Sequence, residues 1–174
     1  MDGLRRLSAS FLMAHNFDQA VSEAGPALAN DPGFSWHRIF LGWAHLGAGA
    51  TGEAEAAIRK GADLSGASVQ LSFLGHAQAI NGNRADALHT LERLTARSAE
   101  RYVSPYELGL IYEALGDHDQ AFAFLDQAFE ERSPWLVYLA REPRLRHLHG
   151  DPRFDALLVR LKRDSGGAPV GAAR

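Results

Sequence analysis

The chain has 174 residues, of which 46% are hydrophobic and 22% charged, and its formal net charge is −3. That balance suits one soluble domain or a short repeat array, and lacks the basic excess expected of a nucleic-acid or anionic-membrane binder. Cysteine is absent, which excludes disulfides, thiolate metal centres and cysteine nucleophiles. The opening residues 1–10 lack the apolar core of a secretory leader, and no apolar run reaches the ~20 residues that span a bilayer. A cytoplasmic location is therefore expected.

Taken in chain order, helical spacing predicts four helix pairs, over about 2–14 with 17–29, 35–48 with 51–63, 68–81 with 84–97, and 104–115 with 118–131. Asn16, Asn83 and Asp117 stand at equivalent N-cap positions, with Gln19 and Gln120 three residues on as in a capping box. Ser104-Pro105-Tyr106-Glu107 combines an N-cap, proline at the first helical position and Glu at N3. After Pro134 the pattern changes. Trp135 to Leu139 reads as a short apolar helix on the last pair. Asp151-Pro152 opens another helix, whose apolar stripe is Phe154, Leu157, Leu158 and Leu161.

The pairs also repeat one another. Ala20, Ala54, Ala87 and Ala121 recur at intervals of 33 or 34 residues (20 to 54, 54 to 87, 87 to 121). Leu7, Leu41, Leu74 and Leu108 share that register, followed by Ser8, Gly42, Gly75 and Gly109; the break between helices reads His15, Gly49, Gly82 and Gly116. Three ladders in one register define a repeat. The clearest copy, Tyr102 to Pro134, carries Leu108-Gly109, Tyr112, Gly116-Asp117, Ala121, Leu125 and Ala128. That spacing resembles the tetratricopeptide repeat, a roughly 34-residue antiparallel helix pair.

The resemblance implies an all-α, right-handed superhelix of antiparallel helix pairs, an α-solenoid of about four repeats (1–34, 35–67, 68–101 and 102–133). C-terminal capping helices would follow over 134–163, with a flexible tail over 164–174. Ser8 departs from the glycine of the pattern, and His45 and Gln78 from the aromatic at Tyr112. These departures suggest looser packing, or an irregular second repeat around Gly47–Gly52. Ser133-Pro134-Trp135-Leu136, Pro143-Arg144 and Asp151-Pro152-Arg153-Phe154 add a narrower likeness. They resemble the end of tetratricopeptide regions in bacterial multidomain regulators, linked to winged-helix, cyclase or kinase domains. With no helix ahead of the first repeat, Leu4, Leu7 and Phe11 are expected to leave a bare stacking face, suited to homo-oligomerisation or to missing upstream sequence.

Candidate chemistry is sparse. Gly47-Ala-Gly49-Ala-Thr-Gly52 spells a dinucleotide-binding G-x-G-x-x-G, but no strand precedes it and Gly49 falls at the repeat's own turn, so a flexible turn is expected. His147, His149 and Asp151 could suit zinc, yet they read as an exposed loop entering the last helix. No paired-histidine, nucleophile-elbow or phosphate-loop motif occurs, so no enzyme activity, cofactor or metal is expected.

The tetratricopeptide resemblance instead implies a partner-binding concave groove lined by the first helix of each repeat. Its positions here are Arg5, Trp36, Ile39, Trp43, Ser72, His76, Tyr106, Leu110 and Glu113. The tryptophans and Tyr106 would anchor a peptide or helix by apolar burial, with Arg5, His76 and Glu113 setting its orientation. The family's basic carboxylate clamp is missing at these positions, which argues against acidic chaperone C-termini as partners. The expected function is a non-catalytic protein–protein interaction scaffold.

Overall fold

Short turns cut the chain into helices too brief to be stable alone, so each depends on burying one face against a neighbour. The computed structural model describes residues 17–166. Its helices are α1 (Phe17–Asn30), α2 (Ser35–Gly47), α3 (Thr51–Ser65), α4 (Ser68–Ile80), α5 (Arg84–Ser98), α6 (Pro105–Ala114), α7 (His118–Glu130) and α8 (Pro152–Gly166). Between α7 and α8 lie two 3-10 segments, Pro134–Arg141 and Pro143–Leu148. No strand occurs among the described residues, and the fold is all-α. The edges expected for α1 to α7 differ from these by no more than two residues, whereas α8 runs on past residue 163. The expected helix over 2–14 lies outside the described residues, as do Arg5, the apolar trio Leu4, Leu7 and Phe11, and the repeat positions Ser8, His15 and Asn16.

Helix pairs with helix as the repeat register requires: α2 with α3, α4 with α5, and α6 with α7; α1 packs on α2, and α3 on α4. The chain divides after Val103 into two compact units, one ending with α5 and one beginning with α6. The ladders explain how each pair closes. Ala54, Ala87 and Ala121 are fully buried. A Cβ added at Gly42 would lie 2.4 Å from Ile58 Cγ1 and 2.7 Å from the Ala54 carbonyl oxygen, so α2 and α3 can cross there only on glycine. A Cβ added at Gly109 would meet the Ala121 carbonyl oxygen at a looser 3.3 Å. The turn ladder has its own cause. Gly49, Gly82 and Gly116 adopt φ of 78°, 82° and 77°, the left-handed conformation that ends one helix and starts the next.

Polar residues at the repeat edges do more than cap. Asp117 accepts from the Gln120 amide at 3.2 Å, as expected. Asn83 makes no side-chain cap; its amide donates to Glu55 Oε2 at 2.7 Å, and Asn81 donates to the same oxygen at 2.8 Å. Thr51 in turn donates to Asn81 Oδ1 at 2.8 Å, so α3 is bonded to the α4–α5 turn. Burial alone would raise the Glu55 carboxyl, but hydrogen bonds from Asn81, Arg59 and Asn83 hold it below the usual carboxylate range. Gln78 is buried with its amide 2.8 Å from the Thr90 hydroxyl, so this departure from the aromatic position is a polar bond between α4 and α5. Tyr112, which has the aromatic, stacks on Phe124 at 5.3 Å.

The two glycines make a graded test. Gly42→Ala must displace backbone and should cost about 2 kcal/mol, whereas Gly109→Ala should cost less than about 1 kcal/mol. Thermal unfolding followed by circular dichroism should rank them in that order.

Candidate functional site

The expected groove residues lie on α2, α4 and α6. On α2 and α4, Trp36 is half-buried, Ile39 and Ser72 are fully buried, and Trp43 and His76 are 8% and 6% exposed. Trp43, expected as an anchor, is thus buried while Trp36 stays half-buried, because the aromatic rings pack on one another. The Phe73 ring meets Trp43 edge-on at 4.8 Å and Trp36 at 6.0 Å, and Trp36 lies 5.7 Å from Phe40. Ser72 donates to the Val69 carbonyl at 2.7 Å. Phe40 and Phe73 were not among the expected residues. They directly follow Ile39 and Ser72 in the same repeat register, a signal present in the sequence.

In the second unit Tyr106, Leu110 and Glu113 are buried to 2%, 1% and 2% exposure, and here the cover is the chain itself. Over 133–148 the chain buries Ser133, Leu136, Leu139, Glu142, Leu145 and Leu148, a residue every three positions, with Arg144 buried between them. A 3-10 helix has three residues per turn, so this spacing sets one face of the segment toward the protein. The four leucines share a core with Tyr106, Leu110, Phe122 and Leu125 of α6 and α7, and each contributes about 2 kcal/mol by burial. Trp135, Val137 and Tyr138 fall off the period; Trp135 is partly exposed and the other two are open to solvent.

Polar bonds fix the segment to α6. Glu142 accepts from the Tyr106 hydroxyl at 3.2 Å and from Arg144 Nε and Nη2, both at 2.8 Å. Glu113 Oε1 accepts from the His147 amide at 3.3 Å and lies 2.8 Å from His147 Nδ1. The Ser104 and Ser133 hydroxyls, at the starts of α6 and of the first 3-10 segment, are 2.8 Å apart. Ser104 thus bonds across the unit rather than capping α6 by its side chain. His147 is correspondingly no part of a free loop, and His149 packs 4.9 Å from the Phe154 ring. Among the described residues, no three metal-ligating side chains stand together.

The buried charges respond in opposite directions. Burial would raise the Glu142 carboxyl, but the charge and hydrogen bonds of Arg144 hold it below the usual range. Burial pushes the Glu107 carboxyl up to about 7 against the pull of Arg144, and its Oε2 has no hydrogen-bond partner. Burial also raises Glu113, outweighing its bonds from His147. Neither Glu107 nor the Glu142–Arg144 pair was foreseen as part of this site.

The α8 helix shares that core through Phe154 and Leu157, and polar contacts tie it to α7 as well. Arg153 lies over the Phe122 ring at 4.1 Å and Arg160 over Phe129 at 4.2 Å. Arg160 also bonds Asp126 at 2.5 Å and Glu130 at 2.8 Å. Asp151 accepts from the Arg153 amide at 2.8 Å, the N-cap expected of it.

Stacked helix pairs closed on alanine and glycine define a helical-repeat protein. The chain matches the tetratricopeptide repeat family over residues 7–68 and 74–134, and it belongs to that family. Tetratricopeptide repeats suggest a protein–protein interaction module, and the family is typically non-catalytic. Curated proteins give no match to this chain. No helix among the described residues is long and apolar enough to cross a membrane.

The carboxyls predict a pH profile. Glu107 has a folded value of about 7 against an ordinary 4.5, so its contribution to stability is complete below about pH 4.5 and is lost as pH rises through 7. The loss amounts to about 3 kcal/mol. Glu142, depressed when folded, acts on the other side: its contribution is present above the ordinary value and lost as pH falls through the depressed one. Thermal melts from pH 5 to 8 should show the wild type losing stability toward pH 8, and Glu107→Gln losing much less.

Proposed function

We propose that this protein is a cytoplasmic, non-catalytic adaptor that binds a peptide or helix of a protein partner on the first helices of its repeats, with α2 and α4 of the first unit as the contact face. The observation that carries this reading is the aromatic group Trp36, Phe40, Trp43 and Phe73 on α2 and α4, with Trp36 and Phe40 only partly buried. Rigid aromatic surface at a desolvated contact supplies binding energy at low entropic cost, and few such residues dominate an interface. The bonding contribution would be apolar burial.

A second reading is a regulatory region of a larger bacterial signalling or transcription protein. Its support is the resemblance carried by Ser133 to Leu136, Pro143-Arg144 and Asp151 to Phe154. Those residues form the covering 3-10 segments and the start of α8, which is where such a region would end its stack.

A displayed library of short random peptides tests the first reading. Peptides selected on the wild type should lose at least ~10-fold in affinity for Trp36→Ala, the loss of one anchor, while its helix content stays unchanged. Equal affinity for folded Trp36→Ala would remove this face as the site.

A further inference from the structure

The 3-10 segments have the form of a tethered cover. The backbone turns through left-handed residues at both ends, Arg132 with φ 53° and Gly150 with φ 89°. A non-glycine residue in that region is strained, so the first turn is an abrupt hinge with a conformational cost. Beyond Gly150, α8 stays on α7 through contacts of its own, Arg153 on Phe122 and Arg160 on Phe129. Those contacts with α7 do not involve residues 134–148, although Phe154 and Leu157 of α8 pack in the same core as the segment's leucines.

Little inside the segment holds it in shape. Runs of 3-10 helix longer than three or four residues are uncommon, because their hydrogen bonds are poorly aligned. Its order comes from α6 and the adjoining core: the leucine stripe, Tyr106 to Glu142, and His147 on Glu113. Those same residues, Tyr106, Leu110 and Glu113, are the fourth-repeat positions of the expected groove.

We propose that residues 134–148 form a tethered strap that lifts from α6 as one unit and, when down, occupies the α6 face of the second unit in the manner of a bound peptide. The occupant that fits is then a peptide of the strap's own chemistry: leucines at three-residue spacing about a central carboxylate–guanidinium pair. This inference rests on the binding-face reading above and adds its regulation. The clasp nearest solvent is His147, whose side chain is 49% exposed while that of Glu113 is 1% exposed.

Hydrogen exchange by mass spectrometry on the full chain tests the lifting, and a labelled synthetic peptide of residues 133–149 tests the occupancy. In the wild type, amides of 134–148 should exchange as a block ahead of those in α6 and α7. His147→Ala should speed that block at least ~10-fold and leave α7 unchanged. The peptide, added in trans, should bind His147→Ala at least ~10-fold more tightly than wild type, since the site is then more often vacant. Exchange of the strap together with α6 and α7 in one cooperative step, in both proteins, overturns the strap. Faster exchange without tighter peptide binding overturns the binding-face reading for this repeat, and with it the occluding role.

Discussion

Everything in this fold depends on two helices approaching closely enough to exclude all but hydrogen atoms and methyl groups between them. Helices of 10 to 15 residues have no stability of their own to spare. They persist because α2 and α3 meet at Gly42 and Ala54, and α6 and α7 at Gly109 and Ala121. Close approach there brings the larger side chains around it, Ile39 and Ile58 in one pair and Leu110 and Leu125 in the other, into full burial. The small residues contribute little area themselves. They set the distance at which the large ones work.

This is also why the fold could be read from the sequence. A constraint on inter-helix distance recurs at each pair and so writes itself as ladders of alanine, glycine and leucine with a fixed interval. The turn glycines add a second periodic signal through their left-handed φ. The covering segment had a signal too, of another kind. Leu136, Leu139, Leu145 and Leu148 keep a period of three, which fits neither the 3.6 of an α-helix nor the 2 of a strand; the short apolar helix read over Trp135 to Leu139 is part of this segment and leaves out its continuation over Pro143–Leu148.

The site was less legible than the fold, for a physical reason. The repeat register places Tyr106, Leu110 and Glu113 on one helix face, but it cannot say what lies against that face. The cover comes from a segment more than 20 residues further on, fixed by pairings such as Tyr106 with Glu142 and Glu113 with His147 that no local pattern encodes. On α2 and α4 the same limit applies to Trp43. Its position on the helix was evident, whereas its burial depends on where the Phe73 ring lies. Asn83 and Ser104 show it again, since both have cap-like positions and spend their side chains on partners elsewhere.

The polar groups beneath the strap have a role that apolar contact could not fill. A stripe with period three is nearly indifferent to sliding by three residues, because Leu139 would then replace Leu136 and Leu148 would replace Leu145. Leucines alone would leave the register open. Glu142 breaks this degeneracy by standing where the stripe would have its middle leucine. A slip in either direction would carry its carboxylate away from the Tyr106 hydroxyl and set a leucine there, leaving a buried polar group unsatisfied at a cost of about 1–3 kcal/mol. The same slip would part His147 from Glu113, whose Oε1 takes both the ring and the backbone amide of that residue. Burying a carboxylate and a guanidinium together adds little net stability. The bonds to α6, Tyr106 to Glu142 and His147 to Glu113, instead select one alignment among several that the leucines would accept, and that alignment is the one that closes over α6.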